Sequence, residues 1–183
     1  MSRVLVERAM AGDHEAFSEL TRLSIAKLYA TAHLILRDSE RAEDATQEAL
    51  VAAWRWFSTL RDPDRFDAWM RRLLVHACYR EANQAKRRLT IEASVRPLMP
   101  TGADPGIAVA EQDELERGFR RLSPEQRALI VLHFYLGMPM AETAEILGLP
   151  VGTVKSRLFR ATQQMRSTIE ADARIPLITG RAT

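Results

Sequence analysis

Residues 147–161 read LGLPVGTVKSRLFRA, and the helix they begin is built around two unlike faces. At about 100° per residue, Val154, Leu158, Ala161 and Met165 share one side, the spacing of a helix packed on a small core. The opposite side carries Thr153, Ser156, Phe159, Arg160 and Gln163, flanked by Lys155 and Arg157, and no acid occurs from Val151 to Arg166. A helix needing only solubility would show mixed charge there. Upstream, PMAETAEIL (139–147) reads as a short helix and Gly148-Leu149-Pro150 as a three-residue turn, which is helix-turn-helix spacing. In that motif the second helix enters the major groove. Ser156, Arg160 and Gln163 can hydrogen-bond base edges, while Lys155 and Arg157 suit phosphates. Phe159 either lies against a thymine methyl or packs on a neighbouring helix of the same chain.

Further upstream, LSPEQRALIVLHFYLGM (122–138) announces another helix. Ser123 as N-cap, Pro124 at the first helical position and Gln126 three residues after the cap form a capping-box signature, and Gly137 can end the helix. Before it, residues 89–112 hold Pro97, Pro100, Pro105, Gly102 and Gly106 without sustained periodicity. About 20 such residues are unusual inside one compact domain, so they read as a linker. Residues 1–88 are almost continuous helix. Gly12 ends a short first helix, Asp13 caps a second to about Arg37, and Asp38-Ser39 opens a third. RDPDRF (61–66) interrupts, because Pro63 disfavours helix at Asp62, and a fourth helix runs from about Asp64 to Arg88. No stretch alternates like a strand. The expected fold is all-α: a helical domain over 1–88, a flexible linker over 89–112, a helix-turn-helix domain over 113–172 and a tail over 173–183.

Two more surfaces stand out in the first domain. Arg71, Arg72, Arg80, Lys86, Arg87 and Arg88 face one acid, Glu81, and make either a phosphate track or a solvated helix face. Trp54, Trp56, Phe57, Phe66 and Trp69 lie just upstream; rings beside basic residues suit unstacked bases, unless they are core. Glu40, Glu43, Asp44 and Glu48, with Gln47, crowd the third helix. They either meet a basic protein partner or favour their own helix N-terminus.

The 183 residues carry 26 Lys plus Arg and 24 Asp plus Glu, a net charge of +2, so the distribution of charge matters more than its total. Cys78 is the only cysteine, which excludes an internal disulfide and fits a reducing compartment. MSRVLVERAMAGDHEAF (1–17) lacks the apolar region of a signal peptide, and ALIVL (128–132) is too short to cross a bilayer. The expectation is a soluble cytoplasmic protein. There is no glycine-rich phosphate loop, H-E-x-x-H or Cys-x-x-Cys. His76 and Cys78, two apart on a helix, point away from each other, and His133 reads as core. Catalytic residues, cofactors and metal are all expected to be none.

Taken in order, LVERAMAGDHEAFSEL, RAEDATQEALVAAWR, RFDAWMRRLLVHACYR, LSPEQRALIVLHFYLGM and EILGLPVGTVKSRLFRA closely resemble the extracytoplasmic-function (ECF) group of bacterial sigma factors. They span most of residues 5–170. The resemblance implies that Asp44, Gln47, Glu48 and Trp54 dock on the clamp helices of core RNA polymerase, with the flap as a further polymerase contact. It implies that Arg61, Phe66, Trp69, Arg71, Arg72, His76, Arg80, Arg87 and Arg88 read and open the −10 promoter element. His76 stands where asparagine is common. The helix matching Val151 to Met165 would read the −35 element, with Thr153, Lys155, Ser156, Arg157, Phe159, Arg160 and Gln163 facing DNA. Ala45-Thr46 stand where larger apolar residues are usual, which predicts looser packing there. Many members are held inactive by an anti-sigma factor, which adds a candidate partner. The function implied is directing transcription initiation, without bond chemistry.

Overall fold

Among the described residues, the starts of three helices can be traced to a capping side chain. The structure, a computed structural model, describes residues 3–95 and 110–173, with side chains over 3–88 and 115–171. Helix α1 (Arg3–Met10) ends before Gly12, whose φ of +94° suits glycine. The Asp13 carboxylate accepts from the Glu15 and Ala16 N–H groups at 3.0 Å and caps α2 (His14–Leu36). Asp38 caps α3 (Ser39–Trp56) through the Arg41 N–H at 3.0 Å. Two 3₁₀ turns follow, Phe57–Thr59 and Pro63–Arg65, with Asp62 extended ahead of its proline, and α4 runs from Phe66 to Val95.

Helices α2, α3 and α4 enclose the first core. Leu20, Ile35, Leu74 and Cys78 are fully buried, and α3 presents a face of Ala42, Ala45, Thr46, Ala49 and Ala53 to them. Small side chains let the backbones approach. Thr46, which looked a poor core residue, donates its hydroxyl to the Ala42 carbonyl at 2.6 Å and so buries no unsatisfied group.

The second half consists of α5 (Ala110–Arg120), α6 (Pro124–Ile130), α7 (Met140–Leu147) and α8 (Val151–Ala173). The capping box forms: Gln126 N–H donates to Ser123 Oγ at 3.3 Å, and Ser123 N–H to Gln126 Oε1 at 2.8 Å. Helix α6 does not continue to Gly137 as a plain α-helix. It widens at Val131–Tyr135, where the Leu136 N–H reaches back to the Val131 carbonyl at 2.9 Å. The wide turn keeps Val131 and Leu132 inside and leaves Phe134 and Tyr135 exposed. Gly148, at φ +65°, ends α7 and aims the chain into α8. At Gly118, an added Cβ would lie 3.1 Å from Met165 Cγ, so α5 and α8 are in close approach.

Two helices reach into the stretch expected as linker. α4 continues over 89–95 and α5 begins at Ala110, because LTIEASV contains neither proline nor glycine and continues a helix that is already formed. Residues 96–109 of the expected linker and 174–183 of the expected tail lie outside the described residues. Between the two halves, α4 packs against α6 and α7, and α2 against α6. Their buried side chains form one contiguous cluster from Val6 to Leu158.

Truncation separates cap from core energetically. Ser123→Ala should lower stability in urea by about 1 kcal/mol, the usual value of an N-cap. Leu132→Ala, which empties a fully buried site, should lower it by about 2–5 kcal/mol.

Candidate nucleic-acid interface

Helix α8 faces its own core with Val154, Leu158 and Ala161, all buried. Lys155, Ser156, Arg157, Phe159, Arg160 and Gln163 are exposed on the other side, and Thr153 is half-buried. Phe159 is 64% exposed, so it does not pack on a neighbouring helix. Arg160 Nε donates to the Ser156 carbonyl at 3.3 Å, which lays the guanidinium along its own helix. Arg157 and Arg160 border a shallow depression that also includes Glu125 and Gln126 of α6. With no acid in its first turn, the positive end of the helix dipole adds to these side chains.

The second surface joins the 57–65 turns to α4. Arg72, His76 and Arg80 follow one another at i, i+4 and form an exposed stripe; Arg61, Arg87 and Arg88 are also exposed, while Trp69 and Arg71 are half-buried. Phe66 is a correction. It is 3% exposed, with ring centroids 6.1 Å from Phe57 and 6.2 Å from Trp69, so it supports Trp69 from beneath and meets no ligand. Apolar and aromatic residues on both sides of α4 left its inner face ambiguous in the sequence. Packing around His76 and the charges of Arg72 and Arg80 push its imidazole below the ordinary range. A neutral ring offers one donor and one acceptor.

The acid surface is more connected than its sequence suggests. Asp44 and Gln47 are exposed, but Glu48 accepts from Arg80 Nε at 2.7 Å, tying α3 to α4. Glu81, read in the sequence only as the odd acid of a basic run, belongs here. Burial and then Asp44 and Glu48 raise its carboxyl above the ordinary value. Trp54 is 51% exposed; its ring lies 5.1 Å from His14 and edge-on to Phe17 at 4.9 Å. His14 carries no sequence signal for this patch, since only the packing of α2 on α3 brings it there.

A depression lies between the two halves. Arg61, Trp69, Arg71 and Arg72 line one side of a cleft of about 500 Å³, and Glu142, Glu145 and Ile146 of α7 line the other. Arg65 Nη2 donates to Glu145 Oε2 at 2.5 Å across its edge. Sequence reading did not single out these α7 carboxylates, because nothing local marks an acid that meets its partner 80 residues away.

Among the described residues no group of three or more His, Cys, Asp or Glu side chains is placed to hold a metal, and no helix is long and apolar enough to cross a membrane. Cys78 is buried, and burial pushes its thiol up to about 12.

Comparison with known proteins identifies the family. The Sigma-70 region 2 family matches residues 22–88, and the Sigma-70, region 4 family matches 112–165. The chain is 35% identical over 161 residues to the ECF RNA polymerase sigma factor SigM of Mycobacterium tuberculosis, covering 88% of this chain and 81% of the relative. It is 24% identical over 181 residues to SigW of Bacillus subtilis, covering 92% and 97%. The solved structure of CnrH in complex with the cytosolic domain of CnrY aligns with a TM-score of 0.62 at 28% identity, over 93% of this chain and 97% of that one. The sigma factor RpoE of Bartonella quintana, solved with the anti-sigma factor NepR, shares the fold at a TM-score of 0.66 and 23% identity, over 85% and 98%.

The state of His76 has a measurable sign. The folded chain binds its proton less readily than the unfolded chain, whose value is near 6.5. This group's contribution to stability is therefore complete above that value and is lost as pH falls through it. Urea midpoints at about pH 7.5 and about pH 5.5 should differ less in His76→Asn than in the parent. A nuclear magnetic resonance titration should place His76 below 6.5.

Proposed function

We propose, for a chain that belongs to the extracytoplasmic-function group of the sigma-70 family, a division of its surface among three binding tasks. Members of that group are promoter-recognising initiation factors that bind RNA polymerase and do no bond chemistry themselves, and so does this chain. The assignment of individual residues is our reading.

Helix α8 enters the major groove of the −35 element. Arg160, Ser156 and Gln163 contact base edges, Phe159 lies against a thymine methyl, and Thr153, Lys155 and Arg157 hold the flanking backbone. The observation that carries this reading is the exposed, acid-free face of α8 behind a three-residue turn.

Arg61, Trp69, Arg71, Arg72, His76, Arg80, Arg87 and Arg88 take the −10 element. A base leaving the duplex loses stacking, and an aromatic ring beside guanidinium groups partly offsets that loss. Neutral His76 reads one base as both donor and acceptor, the part an asparagine amide would play. Asp44, Gln47, Glu48 and Trp54 dock on the basic clamp helices of the polymerase, and the second half meets the flap.

Each DNA-reading surface is small, and single modules bind with limited specificity. Polymerase sets the distance between them, so that occupation of one raises the effective concentration of the other. The function is exercised in the cytoplasm, where polymerase and promoter meet. An anti-sigma factor is a further partner, a reading supported by the RpoE–NepR complex.

Run-off transcription with purified core polymerase and a promoter library tests the whole. Initiation should require both the chain and the core enzyme; tight promoter binding by the free chain without core-dependent initiation would point instead to an autonomous regulator. Arg160→Ala should cost about 1–3 kcal/mol at particular base pairs of the −35 element. Lys155→Ala should weaken binding to all sequences and flatten its salt dependence.

A further inference from the structure

The exposed stripe of α3 changes character along its length. Glu43, Asp44 and Gln47 occupy its first part, and Val51 and Trp54, 49% and 51% exposed, occupy its last. An indole left half in water gives the fold only part of what its burial could give, and such rings are enriched among the anchors of protein interfaces. Trp54 is nevertheless not loose. Its ring neighbours come from α2: Phe17 meets it edge-on at 4.9 Å, and the His14 imidazole lies 5.1 Å away, tilted by 38°.

Each of these neighbours is itself fixed. Phe17 stands at 89° to Phe57 with ring centroids 5.2 Å apart, and Phe57 belongs to the core. His14 is the first residue of α2, and the corner ahead of it is tied from both sides. Asp13 Oδ1 accepts from the Glu15 and Ala16 N–H groups, while Asp13 Oδ2 accepts from Arg8 Nε at 2.9 Å and from Arg8 Nη2 at 2.7 Å. The corner thereby sets the backbone of His14. The imidazole, itself exposed, gives the indole a second contact that lies outside the core.

We propose that the α1–α2 corner is part of the polymerase-docking surface, with His14 as the positioning residue that holds Trp54 in the rotamer the clamp helices bind. This rests on the assignment of Trp54 to polymerase. A tryptophan free on a helix surface samples several staggered rotamers, and a partner that needs one of them must order the ring on binding. Here the ordering is done on folding. The apolar end of the stripe meets polymerase preformed, next to the acids that face the same partner.

A double-mutant cycle on the full chain tests this, read as the dissociation constant for purified core polymerase. His14→Ala should weaken binding by about three- to tenfold, the range expected when one large side chain must be ordered at an interface. Its urea midpoint should stay close to the parent's, because the position is exposed. In a Trp54→Ala background, His14→Ala should cost nothing further. His14→Phe, which keeps a ring, should restore binding, and His14→Gln, which keeps only polarity, should not. Equal losses in both backgrounds overturn the positioning role, since His14 then acts without the indole. Full binding by His14→Ala, where Trp54→Ala binds poorly, overturns it as well and leaves Trp54 with its partner. If Trp54→Ala binds core polymerase as the parent does, the assignment of Trp54 fails and the positioning role with it.

Discussion

The fourth helix has to serve two cores and one wet surface at once, and the rest of the molecule follows from how it does so. Met70, Leu74, Val75 and Cys78 fill the first core, while Leu73, Tyr79 and Ala82 are partly buried around it. Tyr79 shows the crowding: burial and the nearby Glu125 of α6 push its hydroxyl well above the ordinary phenol value. What remains for water is a strip along Arg72, His76 and Arg80, continued by Arg87 and Arg88. A helix apolar on so much of its circumference cannot stand alone in water, so α6 and α7 are drawn onto it.

That requirement explains why the polar strip is so ordered. On a narrow exposed face, residues four apart are neighbours, and Arg72 and Arg80 act on the same imidazole. Arg80 is held at its other end by Glu48, which joins the surface assigned to polymerase to the one assigned to DNA. The three tasks are therefore distributed over a continuous scaffold, not over isolated patches.

Features that depend on neighbours in sequence were legible in the residues themselves. Asp13, Asp38 and Ser123 cap helices where their side chains reach the next N–H groups, and Gly148 turns the chain at a positive φ. The two faces of α8 were equally plain, because a period near 3.6 separates them without reference to the rest of the fold. What stayed hidden depends on contacts between distant parts of the chain. Phe66 looked like a ligand-facing ring because an aromatic beside arginines has no local mark of burial. Glu142 and Glu145 carry no local mark of the arginines that packing sets opposite them. The wide turn at Val131–Tyr135 gives no sequence sign either.

Gly118 has a mechanical consequence. It lets α5 rest directly on α8 at Met165, past the middle of a helix of 23 residues. From Met165 to Thr153 is about 18 Å along the axis at about 1.5 Å per residue. The contact is thus a fulcrum with a long arm, and a bulkier residue at 118 would swing the opposite tip sideways by more than the displacement at the pivot. On the −35 assignment proposed above, promoter fit then depends on a position outside the exposed face of α8.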